Sequence, residues 1–550
     1  MRSAAAELLS ILHDEGVSHV FVDPDMHTAP LRAALSAARD EGAQHPQLVL
    51  CVDERVAVAA AHGHHLAGGR PQAVMVEVEA AQRDLGGALE SAQRDRVPAT
   101  VFWGVRARTA PAEDAAAPDW PVLSGARPPA GKWTADLTRG DWSALVRRAF
   151  QLAQTEPPGL THAIMTRDLL GQPGAGNGSR RLTLPRPAIP DPAALEEIAD
   201  LLATAESPLI VAGRVGRTEE SVTALASLAE TLAAPVIDVR NYVNLPPRHA
   251  LNAAMESRQL LSGADAVLLL DVDAPCVRLL GPVPQRAWLL QIDRDCTQAD
   301  VPGRPCPVEV AVTGDTARAL GPLQTMLADR LAGRRRQVQE RRARAEAAVH
   351  SAHEEWRARA GSGRAEDASD AVLAEVDRSL PDDAVVLLEA DAQAGAALRQ
   401  LERPVGHLFH TSAGAPGWTL GAGLGASLAR PGQPIVAVCD EAAFVAGLPA
   451  AVFWCARRAA APFLTVVLDR QRRPPGRRSG TRRTEVAPVP ADAGVAVREA
   501  ESDVVALARA AGAEADVVDE PASVGAVLER LLATTRDGMC AVLDARLRRT

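Results

Sequence analysis

The sequence predicts an α/β protein built from doubly wound parallel sheets, and three observations support this fold class. Short β-branched runs alternate with alanine- and leucine-rich stretches along all 550 residues. The apolar runs are continuous, as expected for strands of a parallel sheet that are buried on both faces. The composition, 47% hydrophobic and 23% charged, is that of a globular protein long enough for about three domains.

Ten apolar runs are predicted to form strands. They are 19–23, 73–78, 99–104, 208–213, 235–239, 266–272, 287–293, 384–390, 434–440 and 463–469. Residues 172–192 are rich in Gly, Pro and Arg, which predicts a linker, and 333–361 interleave Arg with Glu and Ala, which is typical of a solvated helix. The predicted domains are therefore 1–170, 186–332 and 362–550, with 333–361 as a connecting helix.

Charge and cysteine usage disfavour several classes of function. The net charge of -10 argues against binding to nucleic acid or to an anionic membrane. The N-terminal segment is interrupted by charge and no long uncharged apolar run occurs, so neither a signal peptide nor a transmembrane helix is predicted. The seven cysteines form no CxxC pair, which disfavours a zinc or dithiol site, and a reducing cytoplasm is the expected location.

Two apparent motifs are better explained by packing. The glycines after two of the predicted strands do not complete GxGxxG, so close strand–helix packing is favoured over a nicotinamide site. They are Gly213, Gly216, Gly421, Gly423 and Gly425. On a helix His62 and His65 share a face that His64 does not, but no acidic ligand lies at helical spacing. Packing or interface roles are therefore favoured over a metal site for these histidines.

The third block carries a more specific arrangement. One predicted strand ends in Asp440, a single helix is predicted over 442–459, and the next strand ends in Asp469. The carboxyl ends of strands in an open α/β sheet are where ligands bind. Upstream, a glycine-rich turn that contains Gly414 and Gly417 precedes a helix whose start can approach an anion.

These segments resemble the family of thiamine-diphosphate (ThDP) enzymes that includes acetolactate synthase, benzoylformate decarboxylase and pyruvate decarboxylase. Residues 429–444 and 461–473 lie over the family's GDGSF…NN pattern. Residues 49–104 resemble its glutamate-bearing strand and helix, and Glu54 falls on the catalytic glutamate. In the middle block, 207–217 is similar to the family's second sheet. The resemblance covers nearly the whole chain.

The resemblance implies pyrimidine-binding, middle and diphosphate-binding domains, in that order. It implies a homodimer or homotetramer whose sites lie between the first domain of one subunit and the third of another. The implied activity is cleavage or formation of a C–C bond next to the carbonyl of a 2-oxo acid or aldehyde. Glu54 would exchange a proton with the aminopyrimidine ring, and Mg2+ would bridge the diphosphate to Asp440. No nucleotide fingerprint is present in the middle block, so FAD is not expected.

The sequence departs from the family where the cofactor is held. Residues 439–442 read Cys-Asp-Glu-Ala in place of GDGS, so Asp440 alone is kept. The asparagine pair reads Asp469-Arg470, and the next metal-contacting position is Arg472. An arginine where a dication should bind disfavours a Mg2+ site of the family type.

Two further departures concern the cofactor's shape and its surroundings. The family's small-residue turn in the first block reads Glu79-Ala80-Ala81 here. The large apolar residue that supports the bent form of the cofactor is Pro416.

Three interpretations remain open. In the first, ThDP binds and arginines neutralise its diphosphate in place of the metal; these are Arg470, Arg472 and Arg473. In the second, the protein is a cofactor-free scaffold or partner subunit. In the third, the cleft performs other acid–base chemistry with paired carboxyls; these are Glu54, Glu77, Glu79 and Asp440.

The arginine-rich segment 469–483 is either a solvated loop or an anion-binding lid, and Cys439 is expected to be a buried apolar residue rather than a nucleophile.

Overall fold

The structure is a computed structural model that describes most of the chain. The described residues are 3–24, 28–77, 85–105, 131–138, 140–166, 168–174, 179–239, 242–253, 258–272, 286–298, 307–364, 367–389, 393–411, 416–470 and 503–547. Within them the chain forms three parallel sheets, each with hydrophobic clusters packed on both faces. This confirms the predicted fold class.

The first sheet has six strands in the order β2-β1-β3-β4-β6-β5. The strands are β1 His19–Val22, β2 Gln47–Leu50, β3 Gln72–Glu77, β4 Ala99–Val105, β5 Trp133–Asp136 and β6 Thr161–Thr166. The helices are α1 Ala4–Asp14, α2 Ala29–Asp40, α3 Glu54–Gly68, α4 Gly86–Arg94 and α5 Trp142–Gln154. Every residue of β3 is buried, as its continuous apolar pattern predicts.

The middle sheet has five strands in the order β11-β10-β9-β7-β8. The strands are β7 Pro208–Ala212, β8 Val236–Asp238, β9 Ala266–Leu270, β10 Trp288–Asp293 and β11 Val310–Thr313. The helices are α6 Pro192–Thr204, α7 Glu219–Leu232, α8 Arg258–Gly263 and α9 Thr316–Leu331. A 26-residue helix, α10 (Arg335–Ala360), then leads into the third domain.

The third sheet has six strands in the order β13-β12-β14-β15-β17-β16. The strands are β12 Val385–Glu389, β13 Leu408–His410, β14 Ile435–Asp440, β15 Leu464–Arg470, β16 Glu514–Val518 and β17 Ala541–Leu547. The helices are α11 Ala368–Ser379, α12 Ala394–Gln400, α13 Trp418–Ala429, α14 Glu441–Ala446, α15 Pro449–Ala459, α16 Val504–Ala510 and α17 Val524–Arg536.

The connection between β14 and β15 differs from the sequence prediction. A single helix was expected over 442–459, but the structure has α14 and α15 with a break at Gly447 and Leu448. Leu448 has a φ of 56°, which a continuing helix does not allow. Pro449 starts α15, where its missing N–H costs nothing because first-turn donors have no partner within the helix.

The first and third domains share one hydrophobic core. The cluster contains Phe21 and Val74 of the first sheet together with Val385 and Val467 of the third. At its centre α3 packs against α13 along most of their length. This contact fixes the first helix turn of α3 relative to the glycine-rich turn of the third domain. No helix in the described ranges is long and apolar enough to cross a membrane.

Candidate active site

Carboxyl groups gather at the carboxyl ends of the first three strands. Asp23 follows β1, Asp53 and Glu54 follow β2, and Glu77 ends β3. Asp23 and Glu77 are only 3% and 2% exposed, and the Glu77 N–H donates to Asp23 Oδ2 at 3.4 Å. Because β1 lies between β2 and β3 and the strands are parallel, these groups lie together at the edge of the sheet formed by the carboxyl ends of its strands.

Asp53 fixes the start of α3. Its Oδ1 accepts from the Arg55 backbone N–H at 2.9 Å, which satisfies a donor that has no partner inside the helix. The same carboxylate pairs with the Arg55 guanidinium, with Nη2 3.0 Å from Oδ2. Glu54 is therefore held in the first turn of α3, one residue after the cap.

Glu54 is half-buried, and its surroundings favour the protonated form. Burial raises the pKa of its carboxyl above the usual value, and the nearby charges of Asp23 and Asp53 raise it further. A hydrogen bond between the Glu54 and Asp23 side chains acts in the same direction, while a backbone hydrogen bond opposes it. A carboxyl whose pKa is raised in this way holds its proton to a higher pH than an ordinary glutamate does.

Small residues bring α3 and α13 into contact. A Cβ on Gly425 would lie 1.8 Å from the Ala60 carbonyl oxygen, and one on Gly63 would lie 2.2 Å from that of Ala422. The glycines of α13 therefore serve the close packing that the sequence predicted. Gly417, just before α13, has a φ of 107°, and a Cβ there would lie 2.6 Å from the Gly447 backbone nitrogen.

A small groove lies where these elements meet. It has a volume of about 50 Å3 and is bounded by Arg55 of α3, Ser91 of α4, Pro416, Gly417 and the α14–α15 break. The groove thus joins the turn after Glu54 to the glycine-rich turn of the third domain within a single chain.

Glu389, which the sequence analysis missed, holds the third-domain turn. Its carboxylate accepts from the backbone N–H of Gly417 at 2.7 Å and of Thr419 at 2.8 Å, and also from the Thr419 hydroxyl. Burial raises the pKa of this carboxyl, and its hydrogen bonds to Thr419 and to the backbone partly offset that. The signal in the sequence was an acidic residue ending the apolar run of β12, but nothing there identified its partners.

Asp440 caps a helix. Its Oδ1 accepts from the Ala443 N–H at 2.8 Å at the start of α14, and Glu441 follows in the first turn. Cys439 is fully buried, and burial raises the pKa of its thiol well above the usual value, which fits the predicted apolar role. In the ladder Asp440 pairs with Leu468 of β15, so the backbones of both strand ends are neighbours.

Several predicted site residues cannot be placed. Gly414 and Arg472 lie outside the described residues, as do Arg473, Glu79 and nearly all of the arginine-rich segment. For Asp469 and Arg470 the structure gives the strand backbone of β15. Among the residues that are described, no group of three His, Cys, Asp or Glu could hold a metal ion.

The three histidines of α3 have protein partners, as the packing hypothesis predicted. His62 Nε2 lies 3.1 Å from Asp95 Oδ2, and its ring contacts Trp418 of α13. His64 contacts His19 and Gln72 at 3.0 Å each. Burial lowers the pKa of His64 to about 3, so this ring is neutral at physiological pH.

The chain belongs to the thiamine pyrophosphate enzyme family, as matches to three of its domain models show. Residues 2–116 match the family's N-terminal TPP binding domain, where TPP is thiamine pyrophosphate, a synonym of ThDP. Residues 195–323 match its central domain and 392–544 its C-terminal TPP binding domain. The predicted family resemblance is thereby confirmed.

Two proteins of Pseudomonas aeruginosa are similar to this chain. It is 27% identical over 469 residues to the probable 2-ketoarginine decarboxylase AruI, with 80% of this chain and 78% of that protein covered. It is 26% identical over 487 residues to benzoylformate decarboxylase, with 85% and 86% covered.

Solved structures show the same fold. Benzoylformate decarboxylase from Polynucleobacter necessarius superposes with a TM-score of 0.76 at 16% identity. A ThDP-dependent 4-hydroxybenzoylformate decarboxylase from Rhodococcus jostii RHA1 gives the same TM-score and identity. Both superpositions cover 100% of each chain.

The two halves of the site differ in how well they fit the family's cofactor. The first-domain half fits the aminopyrimidine, because Glu54 is a half-buried acid whose pKa is raised by burial and by the neighbouring carboxylates. In the third-domain half, one oxygen of Asp440 is already used by the α14 cap. Among the described residues, Asp440 belongs to no group of three His, Cys, Asp or Glu that could hold a metal ion.

Proposed function

We propose that this protein is a ThDP-dependent decarboxylase of a 2-oxo acid, with Glu54 as its proton-exchanging acid. The observation that carries the proposal is the position of Glu54 together with surroundings that shift its pKa upward. It lies in the first turn of α3, next to a residue of the interdomain groove, and its pKa is raised by burial and by Asp23.

The residues of this chain supply proton transfer and orientation. When bound, the cofactor supplies a carbon nucleophile for the substrate carbonyl and an electron sink for the bond that breaks. Glu54 holds the exchangeable proton at its carboxyl group, and burial and the charge of Asp23 both favour the protonated form. Glu389 fixes the turn at Gly417 through backbone hydrogen bonds, so the groove keeps one shape.

The diphosphate is proposed to bind at the carboxyl ends of β14 and β15. The proposed contacts are Gly414, Gly417, Asp440, Asp469, Arg470 and Arg472. Arginine binds phosphate oxygens through paired, charge-assisted hydrogen bonds, so Arg470 and Arg472 can offset the ligand's charge and that of Glu441. Asp440 is the remaining candidate for a Mg2+ contact, but the reaction proposed here includes no step through a metal.

The acidic edge of the first sheet favours a substrate with a cationic side chain. Asp23 and Glu77 are buried and Asp53 is paired with Arg55, so this edge would contribute negative potential to a bound substrate rather than a direct contact. A guanidinium or ammonium group complements such an edge, and an aromatic group does not. Of the substrates in the relatives' names, 2-ketoarginine therefore fits this site better than benzoylformate.

Further features are proposed by analogy with the family. The enzyme is proposed to be a homodimer or homotetramer in the cytoplasm. Acetolactate synthase-type carboligation, in which the product fragment is transferred to a second carbonyl compound, is proposed as a side reaction. FAD is not proposed as a cofactor.

The decisive experiment measures CO2 release by the purified protein with ThDP. The substrate panel is 2-ketoarginine, benzoylformate and pyruvate, each assayed with Mg2+ and with EDTA. Release that is fastest for 2-ketoarginine and depends on ThDP supports the proposal. ThDP binding without turnover of any 2-oxo acid, or no ThDP binding, would favour the alternative of a non-catalytic partner subunit or of other chemistry.

A further inference from the structure

A second cavity lies in the middle domain, at the amino ends of its strands. It has a volume of about 260 Å3 and is bounded by the start of β7, the segment before β8 and one face of α10. For comparison, an apolar cavity of about 150 Å3 accommodates benzene. Apolar walls come from Pro208, Pro235 and Leu260, and the polar lining consists of Glu206, Ser207, Arg341 and Arg344.

Arg341 is a buried cation that lacks a counter-ion. It is 4% exposed, and its Nη1 donates to the Ala205 carbonyl oxygen at 2.9 Å. Across the described residues its Nε has no hydrogen-bond partner, and no carboxylate lies within ion-pair distance of it. The acid whose charge acts on it is Asp265, whose two oxygens already accept from the backbone N–H groups of Glu206 and Ser207 at 2.7 and 2.9 Å. A buried cation without a counter-ion is stabilised most when an anion binds beside it.

Neighbouring arginines add to the positive charge that the protein leaves without a counter-ion around Arg341. Arg334, just before α10, and Arg344, within it, lie on either side of Arg341 in the chain and donate to main-chain carbonyl oxygens rather than to carboxylates. Burial lowers the pKa of the Arg341 guanidinium, and these two arginines lower it further, while Asp265 opposes them. The positive potential of the three arginines is therefore only partly neutralised by the protein itself.

We propose that this cavity binds a small organic monocarboxylate, with its carboxylate on Arg341 and Arg344 and its apolar body against Pro208, Pro235 and Leu260. Glu206, which also lines the cavity and is exposed, disfavours a second negative charge. A monocarboxylate therefore fits better than a phosphate. The site lies on the middle domain and uses no residue of the Glu54 site, so it is independent of the proposed decarboxylase activity.

The test is calorimetric titration of the full-length protein with 4-methylpentanoate, a branched monocarboxylate, and with its neutral amide. We expect saturable binding of the acid and at least tenfold weaker binding of the amide. Arg341→Gln and Arg344→Gln should each weaken binding of the acid at least tenfold. Arg342→Gln is the matched control, because Arg342 pairs with Glu346 and does not line the cavity. Its affinity should be unchanged.

A further variant allows the proposal to be tested even if Arg341→Gln does not fold. Ala348 is exposed and lines the cavity, so Ala348→Leu reduces the space without touching the arginines and should also weaken binding. The proposal is wrong if the acid does not bind saturably, if acid and amide bind equally, or if Arg344→Gln and Ala348→Leu bind like the wild type. Tighter binding of inorganic phosphate than of 4-methylpentanoate would overturn the monocarboxylate assignment.

Discussion

Replacing Glu54 by glutamine should separate catalysis from folding. Glutamine has nearly the same size and still forms hydrogen bonds, but it cannot exchange a proton near neutral pH. General acid–base catalysis by one positioned group contributes about 10²–10⁴ in rate. We therefore expect kcat for 2-oxo acid decarboxylation to fall at least about 100-fold in Glu54→Gln.

The same variant should not lose stability. The pKa of Glu54 is raised in the folded state. Between the ordinary glutamate pKa and this raised pKa, the folded protein therefore binds more protons than the unfolded chain does. The wild type therefore loses stability as the pH rises from the ordinary glutamate pKa through the raised one. Glutamine carries no charge and avoids this loss, so Glu54→Gln should be equal or more stable at pH 7. The gain should be no more than about 1 kcal/mol, because the side chain is only half-buried and solvent screens it.

The assay combines turnover with unfolding. CO2 release is measured at saturating ThDP and substrate, and urea unfolding is followed at pH 7 and at pH 4, where the difference in stability should disappear. Glu197→Gln, on the exposed surface of α6, is the control for a change of glutamate to glutamine. Full turnover in Glu54→Gln would refute the proton-exchange role. Destabilisation at pH 7 would refute the account of its environment.

Three other predictions follow from the packing and charges of the third domain. Gly425→Ala should destabilise the protein by about 3 kcal/mol in urea unfolding, because its Cβ would overlap the Ala60 carbonyl oxygen. Gly321→Ala is the control: its Cβ meets nothing within 4 Å, so this variant should be neutral or more stable by about 0.5–1 kcal/mol. Charge reversal of Arg470 and Arg472 together should weaken ThDP binding at least tenfold at low salt, whereas unchanged affinity would indicate a solvated loop. Cys439 should resist alkylation by iodoacetamide at pH 8 in the folded protein, because it is buried and its thiol pKa is raised; rapid labelling seen by mass spectrometry would contradict this.

Much of the fold could be predicted from apolar runs. Central strands such as β3 and β14 are buried along nearly their whole length, so they stand out as continuous hydrophobic segments. Several edge strands gave no such signal, although β8, also at an edge, was predicted, and the internal strands β6 and β17 were missed as well. In β11 buried and exposed residues alternate, and β13 has only three residues, so neither was predicted. The break at Leu448 was missed although Gly447 and Pro449 flank it and both residue types interrupt helices; only the positive φ at Leu448 itself has no sequence signature.

The site was only partly predictable. Glu54 could be found through its place after a strand and through the family resemblance. Its partner Asp23 and the turn-fixing Glu389 could not, because both act through contacts between segments far apart in the chain. The pairing of His62 with Asp95 depends in the same way on how α3 sits beside the turn that follows α4.

The central claim is that ThDP binds between the first and third domains of this protein. Calorimetric titration of the purified apo-protein with ThDP, in Mg2+ and separately in EDTA, tests it most directly. We predict saturable binding, one ThDP per chain, in both buffers, with affinities that differ less than tenfold because Arg470 and Arg472 offset the diphosphate charge. Binding only in Mg2+ would contradict the role of the arginines, and no saturable binding in either buffer would contradict the claim itself.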